Sequence, residues 1–336
     1  MSPTLASGGS LGALDGTLSI DGASFTNGIK TVTDLKWNDV GIISLSAAIQ
    51  DGDYLGVGDI TSTSGNIGRF TPDHFATSVI PGCSSATPFT YSGQHADITI
   101  TALDASGSVT GNYDNSLGYA KTITLSNAGT STGFTLNTIA SGFSGGVGTD
   151  TDVVYTFPAV MTPPTSLIIR AVDSDSVSSY FPSDPTTEDT DLIHSGRLSL
   201  ANAAGSELLP LTVSLQAQYW SGNAFVIDTD DSCTQINVPT TGNGLTYSGS
   251  ITAANTAPTI NGVSSGSVAL VSGAGDLLFP APSNKLTGYI DISVIADTVP
   301  WLKFNWKGTG NINPTARASF GLFQGDKKII YMQEVY

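Results

Sequence analysis

Apolar and polar residues alternate along most of this chain, and the alternation is clearest from Leu211 to Tyr219. Leu211, Val213, Leu215, Ala217 and Tyr219 fall on one face, while Thr212, Ser214, Gln216 and Gln218 fall on the other. Period two over that length predicts a half-buried strand, because successive side chains of an extended backbone point to opposite sides. Ile290, Ile292, Val294 and Ala296 repeat the pattern. Shorter strands are predicted over residues 42–48, 98–103, 122–125, 153–157 and 167–172, with turn formers such as Asp51, Gly52 and Asp53, or Asp173 and Asp175, at their ends. Residues 316–336 read as a hairpin around Gln324, Gly325, Asp326 and Lys327. No apolar pattern of period 3.6 reaches helical length. Many short strands at even spacing predict an all-β chain of tandem immunoglobulin-like β-sandwich modules.

Punctuation suggests where those modules divide. Pro81, Gly82 and Pro88 bracket one polar stretch, and residues 176–188, with Pro182 and Pro185, form another. The expected modules are residues 1–80, an N-terminal β module that is alternatively the end of a preceding domain; 81–185, an immunoglobulin-like sandwich; and 186–336, a C-terminal sandwich. Residues 239–275 are rich in Thr, Gly, Ser and Asn and read as one long loop, of the kind that tends to be functional. Residues 1–10 read as a linker, which makes this chain the C-terminal portion of a longer surface protein.

Composition reinforces the strand reading. Only 12% of the 336 residues are charged, and there are three glutamates, Glu188, Glu207 and Glu334. Helical surfaces are normally built from Glu, Lys and Arg, whereas strand surfaces accept Thr and Ser. The apolar share of 40% suffices for packed cores. A net charge of −16 argues against nucleic acid as a partner, since that binding needs clustered Lys and Arg to displace counterions. No run of apolar residues is long enough to span a membrane as a helix. The expected location is extracellular or cell-surface.

Few residues suggest chemistry. Gly-x-Ser-x-Gly occurs around Ser10, Ser144 and Ser264, but each match lies in a Gly/Ser-rich tract with no helix predicted after it. His74, His95 and His194 each read as a hydrogen-bonded structural histidine. No enzyme is expected. Asp228, Asp230 and Asp231, and likewise Glu188, Asp189 and Asp191, cluster at strand ends, where carboxylates either cap turns or hold calcium. Alternation over 301–306 places Trp301, Lys303 and Asn305 on one strand face, an arrangement able to stack on a sugar; a core or inter-module Trp is the competing reading. Cys83 and Cys233 stand 150 residues apart and match no zinc spacing. Two readings stay open for them: separately buried thiols, or a disulfide stabilising by about 3–5 kcal/mol.

Several segments resemble the MshQ-type family, which accompanies the biogenesis machinery of mannose-sensitive haemagglutinin (type IV) pili. They are residues 37–41 running to 51–56; Ile67 to Phe75, which contains Arg69, Phe70 and His74; Phe89 to Gln94; Gly196 to Thr234; and Pro314 to Tyr336. Departures are confined to Ser92, Met332 and Gln333. The resemblance is to a C-terminal region of unknown function and brings no catalytic residues. It implies an exported structural or adhesion protein of a bacterial surface appendage, with pilin-like partners or self-association. The alternative is a carbohydrate-binding module of a surface adhesin, with a glycan as ligand.

Overall fold

The strand Leu211–Trp220 is the longest among the described residues, and its side chains alternate as their polarity dictates: Leu211, Val213, Leu215 and Ala217 are buried, Thr212 and Ser214 exposed. The computed structural model describes residues 1–50, 53–127, 138–139, 142–308 and 310–322. Among them the regular elements are β-strands and three-residue 3₁₀ turns, so the chain is all-β. No helix among the described residues is long and apolar enough to cross a membrane. The hairpin expected around Gln324 to Lys327 lies outside the described residues.

The chain divides into two compact units whose segments interleave. The first comprises residues 1–80, 95–155 and 166–191; the second comprises 81–94, 156–165 and 192–336. The units break between residues 80 and 81, yet residues 95–155 return to the first unit, for a simple reason. His74–Ile80 pairs antiparallel with His95–Leu103 along its whole length, so residues on both sides of that boundary share one sheet.

In the first unit, Val147–Val154, His95–Leu103 and His74–Ile80 form an antiparallel sheet. Ala96, Ile98, Ile100 and Ala102 are buried from its central strand. Ile123–Asn127 and Thr165–Asp173 supply the second layer, with Ile123, Leu125, Leu167, Ile169 and Ala171 buried. Each of these Leu and Ile side chains contributes about 1.5–3 kcal/mol by leaving water. A further sheet joins Ser2–Leu5, Gly41–Ala48, Thr61–Thr63 and Ile67–Phe70. Residues 176–188, expected as a linker, pack into this unit: Val177 and Thr187 are buried, and Ser179 donates to Glu188.

In the second unit, one sheet orders Gly196–Leu200, Leu211–Trp220, Ala274–Phe279 and Thr259–Ile260, with Phe225–Ile227 also on Leu211–Trp220. The other orders Ala203–Gly205, Thr315–Phe320, Gly288–Ser293, Gly244–Gly249 and Thr240–Thr241. Their inner faces meet in one core, where the Phe279 and Phe320 rings pack edge-on at 6.4 Å. The region expected as a long loop, 239–275, instead contains several strands. Leu245, Ile260 and Val268 anchor them, and Thr and Ser fill the outward positions. Polar outward positions hid these strands from the hydrophobic pattern.

Buried phenols make the fold sensitive to alkali. Burial pushes Tyr155 up to about 12. It pushes Tyr91 and Tyr113 up as well, and carboxylates add to it: Asp231 and Asp228 beside Tyr91, and Asp173, which accepts from Tyr113 at 2.9 Å. The folded state thus holds these protons more tightly than an unfolded chain, whose tyrosines ionise near pH 10. The contribution is complete below about pH 10 and is lost as pH rises towards the folded-state values. Phenolate absorbance and circular dichroism should therefore change together above about pH 11. Tyrosine ionisation with an unchanged fold would contradict this.

Candidate binding face and its buried support

The strand Leu211–Trp220 turns back through Ser221 to Ala224, where Gly222 takes a φ of +104°, into Phe225–Ile227. This hairpin sets Trp220 opposite Phe225, with ring centroids 5.2 Å apart. On the other side of the same strand, Gly196–Leu200 places Arg197 opposite Gln218, and Arg197 Nε donates to Gln218 Oε1 at 2.9 Å. The guanidinium carbon lies 3.8 Å from the Phe225 ring, 4.6 Å from Trp306 and 5.3 Å from Phe304. Phe225, Phe304 and Trp306 pack edge-to-face with one another along this row. Burial pushes the Arg197 guanidinium below its ordinary value, and no carboxylate offsets that shift. A cation held by π faces in a chain of net charge −16 is therefore left with hydrogen-bonding capacity and no anionic partner among the described residues. Such a face can hold a carboxylate or carbonyl through the guanidinium while apolar groups stack on Trp306, which is 37% exposed.

Behind this face lies a dry polar network. His194 is stacked between Phe89 at 4.5 Å and Tyr219 at 4.7 Å, and its Nδ1 is 2.8 Å from Asp228 Oδ2. Both side chains are buried, and Asp228 Oδ1 has no hydrogen-bond partner. Next to it Asp231 accepts from Tyr91 Oη at 3.0 Å through Oδ2, and from the Thr234 amide at 2.9 Å through Oδ1. Gly273, at a φ of +72°, lets the chain pass close to this site: a Cβ there would lie 2.3 Å from the Asp228 carbonyl. Cys83 and Cys233 are joined in a disulfide across a sequence separation of 150, with Cα atoms 5.6 Å apart. Asp231 and the two sulfurs form the one group of three possible metal-ligand atoms among the described residues. With the sulfurs bonded to each other, no thiolate is left to ligate an ion.

The structure distributes the sequence-predicted residues differently from the expectation. Asp228 and Asp231 point into the core while Asp230 is half-buried, so their carboxylates do not form a shared cage for calcium. Glu188 accepts from Arg170 Nε at 2.7 Å and Nη2 at 3.0 Å. Asp189 accepts from the Val79 amide at 2.8 Å, and Asp191 is buried. That trio likewise forms no shared cage among the described residues, each carboxyl being held or buried in its own place. Trp301, Lys303 and Asn305 do not line one strand face: Pro300–Leu302 is a 3₁₀ turn. Proline at its start pre-sets the helical φ and ends the extended reading. Trp301 packs on the core of the unit with its Nε1 buried and unpartnered. Lys303 pairs with Asp297 at 2.5 Å, and Asn305 accepts from the Gly310 amide at 3.1 Å. Ser144 sits at a hairpin bridge to Val147, with no helix after it. The Arg197 face escaped the sequence reading, although the Trp220–Phe225 hairpin and the Arg197–Gln218 register could have pointed to it.

These features define a β-sandwich protein whose second unit is stapled by a disulfide and bears an arginine-centred aromatic face. The chain belongs to the DUF6701 family: the third domain of that family matches residues 39–246, and the fourth matches residues 194–335. The expected C-terminal region of unknown function agrees with these matches. No curated protein matches the sequence. Among solved structures the chain is similar to FdeC, a broadly conserved Escherichia coli adhesin, at 11% identity and a TM-score of 0.37, covering 83% of this chain and 74% of that one. It is also similar to a protein of unknown function from Porphyromonas gingivalis W83, at 7% identity and a TM-score of 0.19, covering 73% of this chain and 99% of that one.

Proposed function

We propose that this chain is a non-enzymatic structural and adhesion component of a bacterial cell-surface appendage, of the type associated with mannose-sensitive haemagglutinin pili. The observation that carries the reading is Arg197, held among Phe225, Phe304 and Trp306 without a carboxylate partner among the described residues. A desolvated, immobilised arginine flanked by aromatic rings is the kind of residue that anchors protein contacts. Its chemistry suits a carboxylate on a neighbouring subunit, whether pilin-like or another copy of this chain. The disulfide supports an extracellular location, since such bonds persist in oxidising compartments. The non-enzymatic reading is supported by the placement of His194, whose pairing with Asp228 has the form of a base and its orienter but is sealed between two rings. The glycan reading at Trp301 draws no support from that residue, whose indole nitrogen is buried.

Pull-down from native surface extract, with and without a calcium chelator, tests this. The wild-type chain should recover pilin-type subunits, and Arg197→Ala and Trp306→Ala should each reduce recovery roughly tenfold. Recovery of polysaccharide alone, or full recovery by both variants, would contradict it.

A further inference from the structure

A second place on the molecule is built for recognition, and it lies wholly within the first unit. A cleft of about 560 Å³ opens there between Trp37, Asp39, His74, Asp104, Asp175 and Tyr180, a volume in the range of small-ligand sites. Four aspartates line it, Asp39, Asp73, Asp104 and Asp175, yet it is not a trap for cations. Asp175 is ion-paired with Arg69, and Asp73 Oδ2 lies 2.9 Å from His74 Nδ1. The acidic groups without such partners are Asp39 and Asp104.

Both are oriented by backbone amides. Asp39 Oδ1 accepts from the Val40 amide at 2.7 Å and the Asn112 amide at 3.0 Å, and burial pushes this carboxyl up. Asp104 is 8% exposed; its Oδ1 accepts from the amides of Ser106 at 2.8 Å and Ser108 at 2.9 Å and from Ser106 Oγ at 2.6 Å, all on one oxygen among the described residues. These aspartates belong to no group of three ligand atoms close enough to share one ion. These fixed acceptors match a ligand that brings several hydrogen-bond donors better than a bare ion. Thr71, Thr110 and Ser178 add hydroxyl-bearing residues to the lining, suited to a ligand that both donates and accepts.

The aromatic element is also fixed. Tyr180 is 56% exposed, and the Arg170 guanidinium sits 4.5 Å from its ring centroid, itself gripped by Glu188. His74 stacks on Phe181 at 4.1 Å, and both line the cleft. Fixed acceptors beside an immobilised exposed ring suit a sugar, whose hydroxyls donate and whose C–H face stacks. The unneutralised Asp39 and Asp104 would repel a sialate or uronate.

We propose that this cleft binds a neutral saccharide, with Asp39 and Asp104 accepting from its hydroxyls and Tyr180 stacking on its ring. The proposal does not rest on the surface-appendage reading, which concerns a protein partner and the other unit. An array of neutral, sialylated and uronate glycans probed with the full chain tests it. Neutral glycans should bind and acidic ones should not. Asp104→Asn, which keeps the amide-accepting oxygen, and Tyr180→Ala, at an exposed position, should each weaken binding at least roughly tenfold. Absence of any neutral glycan hit, a preference for acidic glycans, or full binding by folded Tyr180→Ala would overturn it.

Discussion

Replacing Cys83 and Cys233 together by serine should lower the stability of the second unit by about 4–5 kcal/mol. The estimate follows from chain entropy: the bridge joins residues separated by 150 positions, and a cross-link over so long a loop removes much of the unfolded ensemble. Native placement works in the same direction. Cys83 is fully buried in the same core as Phe89 and Tyr91, so the bridge fastens the segment 81–94 to the body of its unit. Loss of the link frees a segment that carries two large buried aromatics. Thermal unfolding with and without reductant reads the effect, which should appear as a drop of roughly 10–15 °C for that unit. The first unit contains no cysteine, so its transition should hold its position. A shift of less than about 2 °C in the second transition would mean the unfolded chain is already compact without the bridge.

The contrast between the two cysteines and the strands shows what a sequence makes readable. Leu211–Trp220 was legible because its burial follows its own alternation, a property local to ten residues. The pairing of Cys83 with Cys233 is set by the fold, and spacing alone left two readings open. Gly244–Gly249 was missed because Leu245 is its one fully apolar buried position, with Thr246 and Ser248 facing outward or half-outward. The core reading of Trp301 holds, whereas the strand face read over 301–306 does not form, because Pro300 opens a 3₁₀ turn there. The Arg197 face and the cleft of the first unit escaped for the same reason. Arg197 meets Phe225 from a neighbouring hairpin and Trp306 from a distant loop; Asp39, Asp104 and Tyr180 come from three separate stretches. Neither composition nor period records such meetings, which exist only once sheets have formed.

The second large effect is expected at Asp228. In Asp228→Ala, His194 stays stacked between Phe89 and Tyr219 but loses the carboxylate at 2.8 Å, leaving a polar ring nitrogen in a dry site. Breaking a buried pair from one side costs about 3–5 kcal/mol. Most of that cost is the penalty for the group left behind, not the worth of the pair, and this distinction can be tested. Asp228→Leu combined with His194→Phe removes both polar partners and keeps the aromatic stack, so it should recover most of the loss. Urea denaturation of Asp228→Leu, His194→Phe and the double variant gives the coupling directly. A large cost that the double variant rescues marks the pair as packing within a sealed core. A cost below about 1 kcal/mol for Asp228→Ala would instead mean that solvent reaches His194, and an accessible histidine oriented by a carboxylate would reopen the catalytic reading.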